Sequence, residues 1–413
     1  MKKIALVALA LTSAMLMAQT AGTVVVVTPD GSAYLAQIGS GLALTIQDGK
    51  ATLSAITPAT PAPTSTPKSV KDYGATGNGS TDDTTAIQNA INATPAGGTV
   101  SFPAGNYRVT RTLNFLSDRT YQGAPGAVLL GPAGYFLAVA PYNSARNMTI
   151  DGLTFDAAGI SFDGSTGAAD NIRITNCTFQ NITNASGNWT VHNAIFLPAG
   201  MQNSTISSNR FSNILEGGKT DYVDCNANAI QGWRIRNVSI TNNTFDLVNQ
   251  AISLQFDGAG PYDQIVISGN QGTRVHRMGI EMQGANTQGL LVENNRFENF
   301  INPFWNTFGL SIVVDGGSNT TIRGNTLIAQ PPAGSGSRYG YGIEVGGKTT
   351  LVENNSIQGY FYAGIAIGTA PNITVRNNFL CGSSSCQSIV YESSPPQGAV
   401  IQNNTKSSSC PGA

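Results

Sequence analysis

NVSITNNTF, residues 237 to 245, decides how this chain folds, because variants of the same phrase recur down the sequence. In one register stand NIRITNCTF (171 to 179), NSTISSNRF (203 to 211), QIVISGNQG (264 to 272) and GLLVENNRF (289 to 297). NTTIRGNTL (319 to 327), TTLVENNSI (349 to 357), NITVRNNFL (372 to 380) and AVIQNN (399 to 404) follow. Each unit is a short alternating strand, a polar turn and another apolar residue. The spacing, about 23 to 34 residues, is too irregular for leucine-rich or ankyrin arrays, and their helical segments are missing. A parallel β-helix explains both features: rungs stack at about 4.8 Å, and loops of any length leave at the turns. One aligned column is Asn209, Asn243, Asn270, Asn295, Asn325, Asn355, Asn378 and Asn404. Asn tolerates a left-handed turn, and its amide bonds to the identical amide one rung away. Two positions later come Phe179, Phe211, Phe245 and Phe297, replaced by Leu327, Ile357 and Leu380 in later rungs. These are expected core stacks.

Composition agrees with a turn-rich all-β chain: 47 Gly, 38 Asn and only 11% charged residues among 413. Low charge excludes a coiled coil, and 41% hydrophobic residues exclude a disordered chain. Lys2 and Lys3 before the apolar run Ile4 to Met17 form a secretory signal peptide pattern over residues 1 to 18, too short to span a bilayer. A secreted or periplasmic protein is expected. Its removal leaves 20 basic against 23 acidic residues, with no basic stripe, so neither nucleic acid nor membrane is an expected partner. Residues 19 to 56 read as a small β-rich module with strands near Val24 to Val27, Leu42 to Ile46 and Ala51 to Ile56. Its phrase IGSGLALTIQDGKATLSAI resembles short β segments near phage tail-fibre and secreted bacterial modules, which implies an attachment or oligomerisation element. Residues 57 to 68, TPATPAPTSTPK, form a Pro/Thr linker to a domain over 69 to 413. Among five cysteines, Cys381, Cys386 and Cys410 are placed to supply one bridge, whereas Cys177 and Cys225 read as buried small side chains. No metal cluster or phosphate loop is present and no cofactor is expected; calcium through scattered Asp oxygens has no motif behind it.

Val70 to Val109, VKDYGATGNGSTDDTTAIQNAINATPAGGTVSFPAGNYRV, resembles the opening of the pectate lyase and rhamnogalacturonase superfamily of right-handed parallel β-helices, which includes family 28 glycoside hydrolases. The matching order is Asp72, Gly74 and Ala75, Thr81 to Thr84, Ala86 to Gln88, Gly97-Gly98, Phe102-Pro103 and Gly105. With the Asn repeats the resemblance covers residues 70 to about 405. Asp82 or Asp83 is expected to cap a helix running to about Ala93 that closes the first rung. The resemblance implies a fold more than a reaction, since the superfamily holds hydrolases, lyases, epimerases and phage tailspikes.

A second column of strands runs beside the first: NAIFL (193 to 197), NAIQGW (228 to 233), QAISLQ (250 to 255), MGIEMQ (278 to 283), FGLSIV (308 to 313), YGIEVG (341 to 346) and AGIAIG (363 to 368). It resembles the strand that floors the superfamily's substrate cleft. Alternation predicts an outward stripe of Phe196, Gln231, Ser253, Glu281, Ser311, Glu344 and Ala366. Beside it come Trp233, Gln255, Gln283 and Val313, with Asp257 and Asp315 two positions further. Polygalacturonases carry acids just before the glycine or cysteine of this strand. Here those places hold Asn228, Asn249-Gln250 and Arg277-Met278, so that mechanism does not transfer. Glu281 and Glu344 are the expected catalytic pair, two rungs or about 9.6 Å apart, near the separation of inverting glycosidases. Asp257 with Asp315 makes a second pair, and Asp221 and Asp224 sit in a loop placed to overhang the cleft. Arg277, His276, Gln255, Gln283, Trp233 and Trp305 are expected substrate contacts, with Ser253 in the same polar cluster. A secreted polysaccharide-degrading glycosidase is the leading expectation. The alternatives are a polysaccharide lyase using Arg277, Lys219 or Tyr222 on a uronate polymer, and a non-catalytic tailspike-like adhesin.

Overall fold

The structure is a computed structural model. It describes residues 17–19, 23–27, 33–37, 42–47, 50–55, 66–132, 134, 136–139, 145–162, 167–183, 192–216, 227–254, 262–284, 287–298, 310–329, 339–359, 361–381, 387–391 and 393–408. Two compact units divide the chain, Met1–Thr64 and Ser65–Ala413. The expected leader falls outside the described residues except for Met17 and Ala18, as does most of the linker. In the first unit Thr23–Val27 pairs antiparallel with Met17–Gln19 and with Ala33–Gln37, and Leu42–Gln47 pairs antiparallel with Lys50–Ala55.

The second unit is the expected parallel β-helix. Each rung lays one strand on each of three faces, and every strand pair between rungs of this unit is parallel among the described residues. One face is a 13-stranded sheet from Lys68–Ser69 to Val400–Gln402; the other two are joined in a 22-stranded sheet. Inward side chains of the 13-stranded sheet align rung on rung as Ile150, Ile174, Ile206, Ile240, Ile267, Val292, Ile322, Val352 and Val375. All are buried. Removing each such side chain from water contributes about 1.5–3 kcal/mol, so the core is a row of equal layers.

Phenylalanine fills the neighbouring row. Phe155, Phe179, Phe211 and Phe245 stack with centroids 4.8, 5.2 and 5.0 Å apart and nearly parallel planes. The next step, Phe245 to Phe297, widens to 6.4 Å because Gly272 occupies the rung between them. A Cβ at Gly272 would lie 2.4 Å from the Phe297 ring, so that ring has filled the space the glycine leaves. Leu327, Ile357 and Leu380 continue the row.

The Asn column forms the expected ladder. Asn295 is typical: its Nδ2 donates to Ile267 O and to Asn325 Oδ1, while its Oδ1 accepts from the backbone N–H and Nδ2 of Asn270, all at 2.9–3.0 Å. The pattern holds from Asn209 to Asn404, and at its head the Cys177 N–H donates to Asn209 Oδ1. Burial pushes the Cys177 thiol up to about 12, so it is an inert rung filler as expected. Cys381 is disulfide-bonded, while Cys225, Cys386 and Cys410 lie outside the described residues. The left-handed conformation belongs to a different residue from the one expected. It is adopted by the preceding position, Asn176, Ser208, Asn242, Gly269, Asn294, Gly324, Asn354, Asn377 and Asn403, with φ near 53–67°. The turn thus divides its work: one residue reverses the chain, and the next turns its amide inward.

A helix, Thr84–Ala93, buries Ile87, Ala90 and Ile91 in the core, at the three- and four-residue spacing of one helical face. Its two preceding acids do different jobs. Asp82 accepts from the Thr84 N–H and hydroxyl and from the Thr110 hydroxyl, and these bonds, Thr84's hydroxyl foremost, hold its carboxyl down to about 2. Asp83, at the N-cap position, makes no side-chain cap bond; it is 1% exposed and accepts from the N–H groups of Thr76 and Gly77 and from the Thr76 hydroxyl. Asp83→Ala would leave buried donors without an acceptor. Its expected loss of stability is about 2–4 kcal/mol, read by chemical unfolding, against less than about 1 kcal/mol for the exposed Asp82→Asn.

Candidate active site

The floor face is built from strands that include Ile160–Ser161, Ile195–Leu197, Asn228–Gly232, Leu310–Asp315, Tyr339–Val345 and Phe361–Ile367. Between the third and fourth of these come the C-terminal parts of the long strands Thr244–Leu254 and Gln271–Gln283. Pairing fixes one outward column as Ser161, Phe196, Gln231, Ser253, Glu281, Val313, Glu344 and Ala366. One member of the expected stripe is therefore replaced. Ser311 stands opposite Gly279 and is buried, and Val313 takes the place between Glu281 and Glu344. The phrase Phe-Gly-Leu mimics Tyr-Gly-Ile, but the strand uses Ser311 where its neighbours use Gly279 and Gly342, two residues later than read. The same shift brings Asp315 level with Gln283 instead of two positions beyond it. Asp257, Asp221 and Asp224 lie outside the described residues, as do Gln255, Trp305, Lys219 and Tyr222.

Glu281 and Glu344 do occupy one column two rungs apart, or about 9.6 Å at the strand spacing. Glu281 is 1% exposed, and its two oxygens are held from different strands: Ser253 Oγ donates to Oε2 at 2.7 Å and Gln283 Nε2 donates to Oε1 at 3.1 Å. Glu344 is half-buried. Between the two, Val313 packs with Met278 and the half-buried Tyr341, a small apolar patch separate from the main core. A carboxyl oriented by two donors beside an apolar patch suits acid/base chemistry, because its position is set before any ligand arrives.

Arg277 and His276 belong to a bulge. Val248 pairs with Val275 and Gln250 with Met278, so two residues oppose the single Asn249. Such a bulge re-aims side chains at the edge of a site. It also completes a polar ladder that sequence reasoning did not assemble. His192 Nδ1 lies 3.7 Å from Glu216 Oε1, the Glu216 N–H donates to Asn249 Oδ1 at 2.7 Å, and Asn249 Nδ2 donates to His276 Nδ1 at 3.3 Å. These four residues come from successive turns leading into the floor. Glu216 was the missed member: it stands two residues after Ile214, whereas Asn249 and His276 stand one after Val248 and Val275, the partners of Ile214 in register, so no matching position in the sequence marks it.

Burial foremost, with the Arg274 charge second, lowers the His276 pKa from its ordinary value. Folding therefore favours neutral His276. Its contribution to stability is full above pH about 6.5 and is lost as the pH falls from there through the lowered folded-state value. Urea unfolding at pH 7.5 and pH 5 should show this loss, and His276→Gln should reduce the difference between the two pH values.

Upstream on the floor lies an aromatic end. Phe196 stacks on Phe136 at 5.7 Å and meets the half-buried Trp233 edge-on at 5.3 Å. Trp233 sits in the turn after Asn228–Gly232, beside the outward column and two rungs from Glu281.

A stacked three-faced coil with a polar outward column defines the class: the molecule is a parallel β-helix. Residues 68–259 match the family described as Rhamnogalacturonase A/epimerase, pectate lyase-like, which bears out the resemblance read from Val70 to Val109. Among curated proteins, a mannuronan C5-epimerase of Azotobacter vinelandii is 63% identical over 43 residues, 10% of this chain and 2% of that protein. An exo-poly-α-D-galacturonosidase of Dickeya chrysanthemi is 44% identical over 70 residues, 16% of this chain and 12% of that protein. These matches span a small part of the relatives' lengths. Among solved structures, the surface adhesin PfbA of Streptococcus pneumoniae aligns over 83% of this chain and 90% of its own, with TM-score 0.64 and 18% identity. The tailspike of E. coli bacteriophage HK620, in complex with a hexasaccharide, aligns over 91% of this chain and 70% of its own, with TM-score 0.55 and 15% identity. At these identities the likeness is one of fold.

Proposed function

We propose that this chain is an exported glycoside hydrolase that cleaves a polysaccharide laid along the floor of the β-helix, with Glu281 and Glu344 as its acid and base. The observation that carries the reading is the Glu281 carboxyl, gripped by Ser253 and Gln283, with a second carboxylate in the same column two rungs on. That separation leaves room for a water between base and anomeric carbon, which corresponds to inversion. The matched relatives are named for polysaccharide chemistry, mannuronan epimerisation and galacturonoside cleavage, and support a glycan as the substrate. Phe196 and Trp233 offer ring faces and edges for sugar at the upstream end of the floor.

Incubation of the purified protein with a polysaccharide panel tests the reading. Hydrolysis releases reducing ends alone. Unsaturated, ultraviolet-absorbing ends would mean a lyase, and binding without cleavage would mean an adhesin; either result would displace the hydrolase.

A further inference from the structure

We infer that Asn249 is a positioning residue for His276: it holds the imidazole in the tautomer that carries its hydrogen on Nε2, so the bulge at the floor's edge bears a neutral ring that donates from that nitrogen. This holds whether or not the floor hydrolyses a glycan. A peptide N–H can only donate. The Glu216 N–H lies 2.7 Å from one atom of the Asn249 amide, so that atom is the oxygen, Oδ1. The other atom is then Nδ2, which carries two hydrogens and accepts nothing. It lies 3.3 Å from His276 Nδ1. Two donors do not bond to each other, so Nδ1 offers its lone pair and the hydrogen of the neutral ring sits on Nε2. Asn249 is 4% exposed, and a flipped amide would set its NH2 group against the Glu216 N–H.

The long ladder contains the same arrangement. Along it an asparagine Oδ1 accepts from the backbone N–H one rung before while Nδ2 donates to an oxygen one rung after, as Asn295 does between Asn270 and Asn325. Asn249 repeats this between Glu216 and His276, with Nδ1 standing where the next Oδ1 would stand. The bulge permits it, because His276 and Arg277 together oppose Asn249 alone. An asparagine in that place would pass the pattern on; a histidine ends it with a donor at its far nitrogen. Burial, with the Arg274 charge second, lowers the ring's pKa and acts in the same sense by favouring the neutral form. An imidazolium would aim an Nδ1 hydrogen at the hydrogens of the Asn249 amide. Any oxygen that meets Nε2, of the protein or of a glycan, therefore meets a neutral donor, and Arg277 beside it in the chain carries the permanent charge.

Nitrogen NMR of the full-length protein with labelled histidine rings reads the tautomer directly. The chain has only two histidines, His192 and His276, and His276→Gln removes the signals to be assigned. At pH about 7.5, above the ordinary histidine value, the His276 ring should show a hydrogen on Nε2 and the far-downfield resonance of a bare nitrogen at Nδ1. A hydrogen on Nδ1 at this pH, in a neutral or a charged ring, overturns the inference. Asn249→Asp keeps the shape and the acceptor for the Glu216 N–H but sets an oxygen against Nδ1, so it should bring a hydrogen onto Nδ1. Asn249→Ala removes the donor and should leave the two tautomers mixed. If Asn249→Asp fails to fold, the unaltered protein and Asn249→Ala decide the matter. A ring unchanged in every folded variant would show that Asn249 does not set the tautomer, which also overturns the inference. No glycan enters the measurement, so the hydrolase reading keeps its own separate test.

Discussion

Asn295→Ala should lower the free energy of unfolding by about 3–5 kcal/mol, read as a shift of the guanidinium midpoint. The side chain is fully buried and serves three neighbours. Its loss removes the acceptor for the Asn270 N–H and Nδ2, the donor to Ile267 O and the link to Asn325 Oδ1. No water reaches the site to replace them, so several polar groups bear a desolvation cost at once. Asn295→Asp should be worse still, because it turns a negative oxygen toward the Ile267 carbonyl. Asn404→Ala, at the last and more exposed rung of the ladder, serves as the control and should lose less than half as much. Equal losses at the two sites would show that the ladder is not what sets rung stability.

Glu281→Gln should reduce kcat on a confirmed glycan by at least about 10²–10⁴-fold while leaving substrate affinity within a few-fold. The replacement keeps shape and most bonding. A glutamine at 281 can donate to Ser253 Oγ and accept from Gln283 Nε2, so the floor strand should stay in place and the lost quantity is the titratable proton. Glu344→Gln should also depress kcat, and recovery of that variant by added azide or formate would mark Glu344 as the base. Full activity in Glu281→Gln would move the chemistry elsewhere, first to the carboxylate of the His192–Glu216 pair.

The coil was readable because one phrase repeats. Every Asn from Asn209 to Asn404 in the aligned column lies in the ladder, and Phe179, Phe211, Phe245 and Phe297 lie in one row, since an identical side chain one rung away is itself the bonding partner. What misled was local mimicry. Phe308-Gly309-Leu310 looks like Tyr341-Gly342-Ile343, yet the pairing partner of Ile280 is Ile312, because a buried serine can stand where a glycine stands in the neighbouring rungs. The two turn asparagines were merged into one role because sequence carries no sign of φ. Glu216 was overlooked for a different reason: it follows the repeated phrase, where each rung leaves for a loop of its own length. Pairing across space, through Asn249 and His276, is what brings it to the floor's edge.

The bulge at His276 and Arg277 has a consequence for how such a molecule can change. An extra residue enters the chain there, yet Phe245, Gly272 and Phe297 upstream and Ile252, Ile280 and Ile312 downstream keep their alignment. The insertion is absorbed locally, like a leap day that leaves the rest of the calendar untouched. Residues can therefore be added or deleted at this edge of the floor, and new side chains aimed at a ligand, while the interior stays indexed by its asparagines.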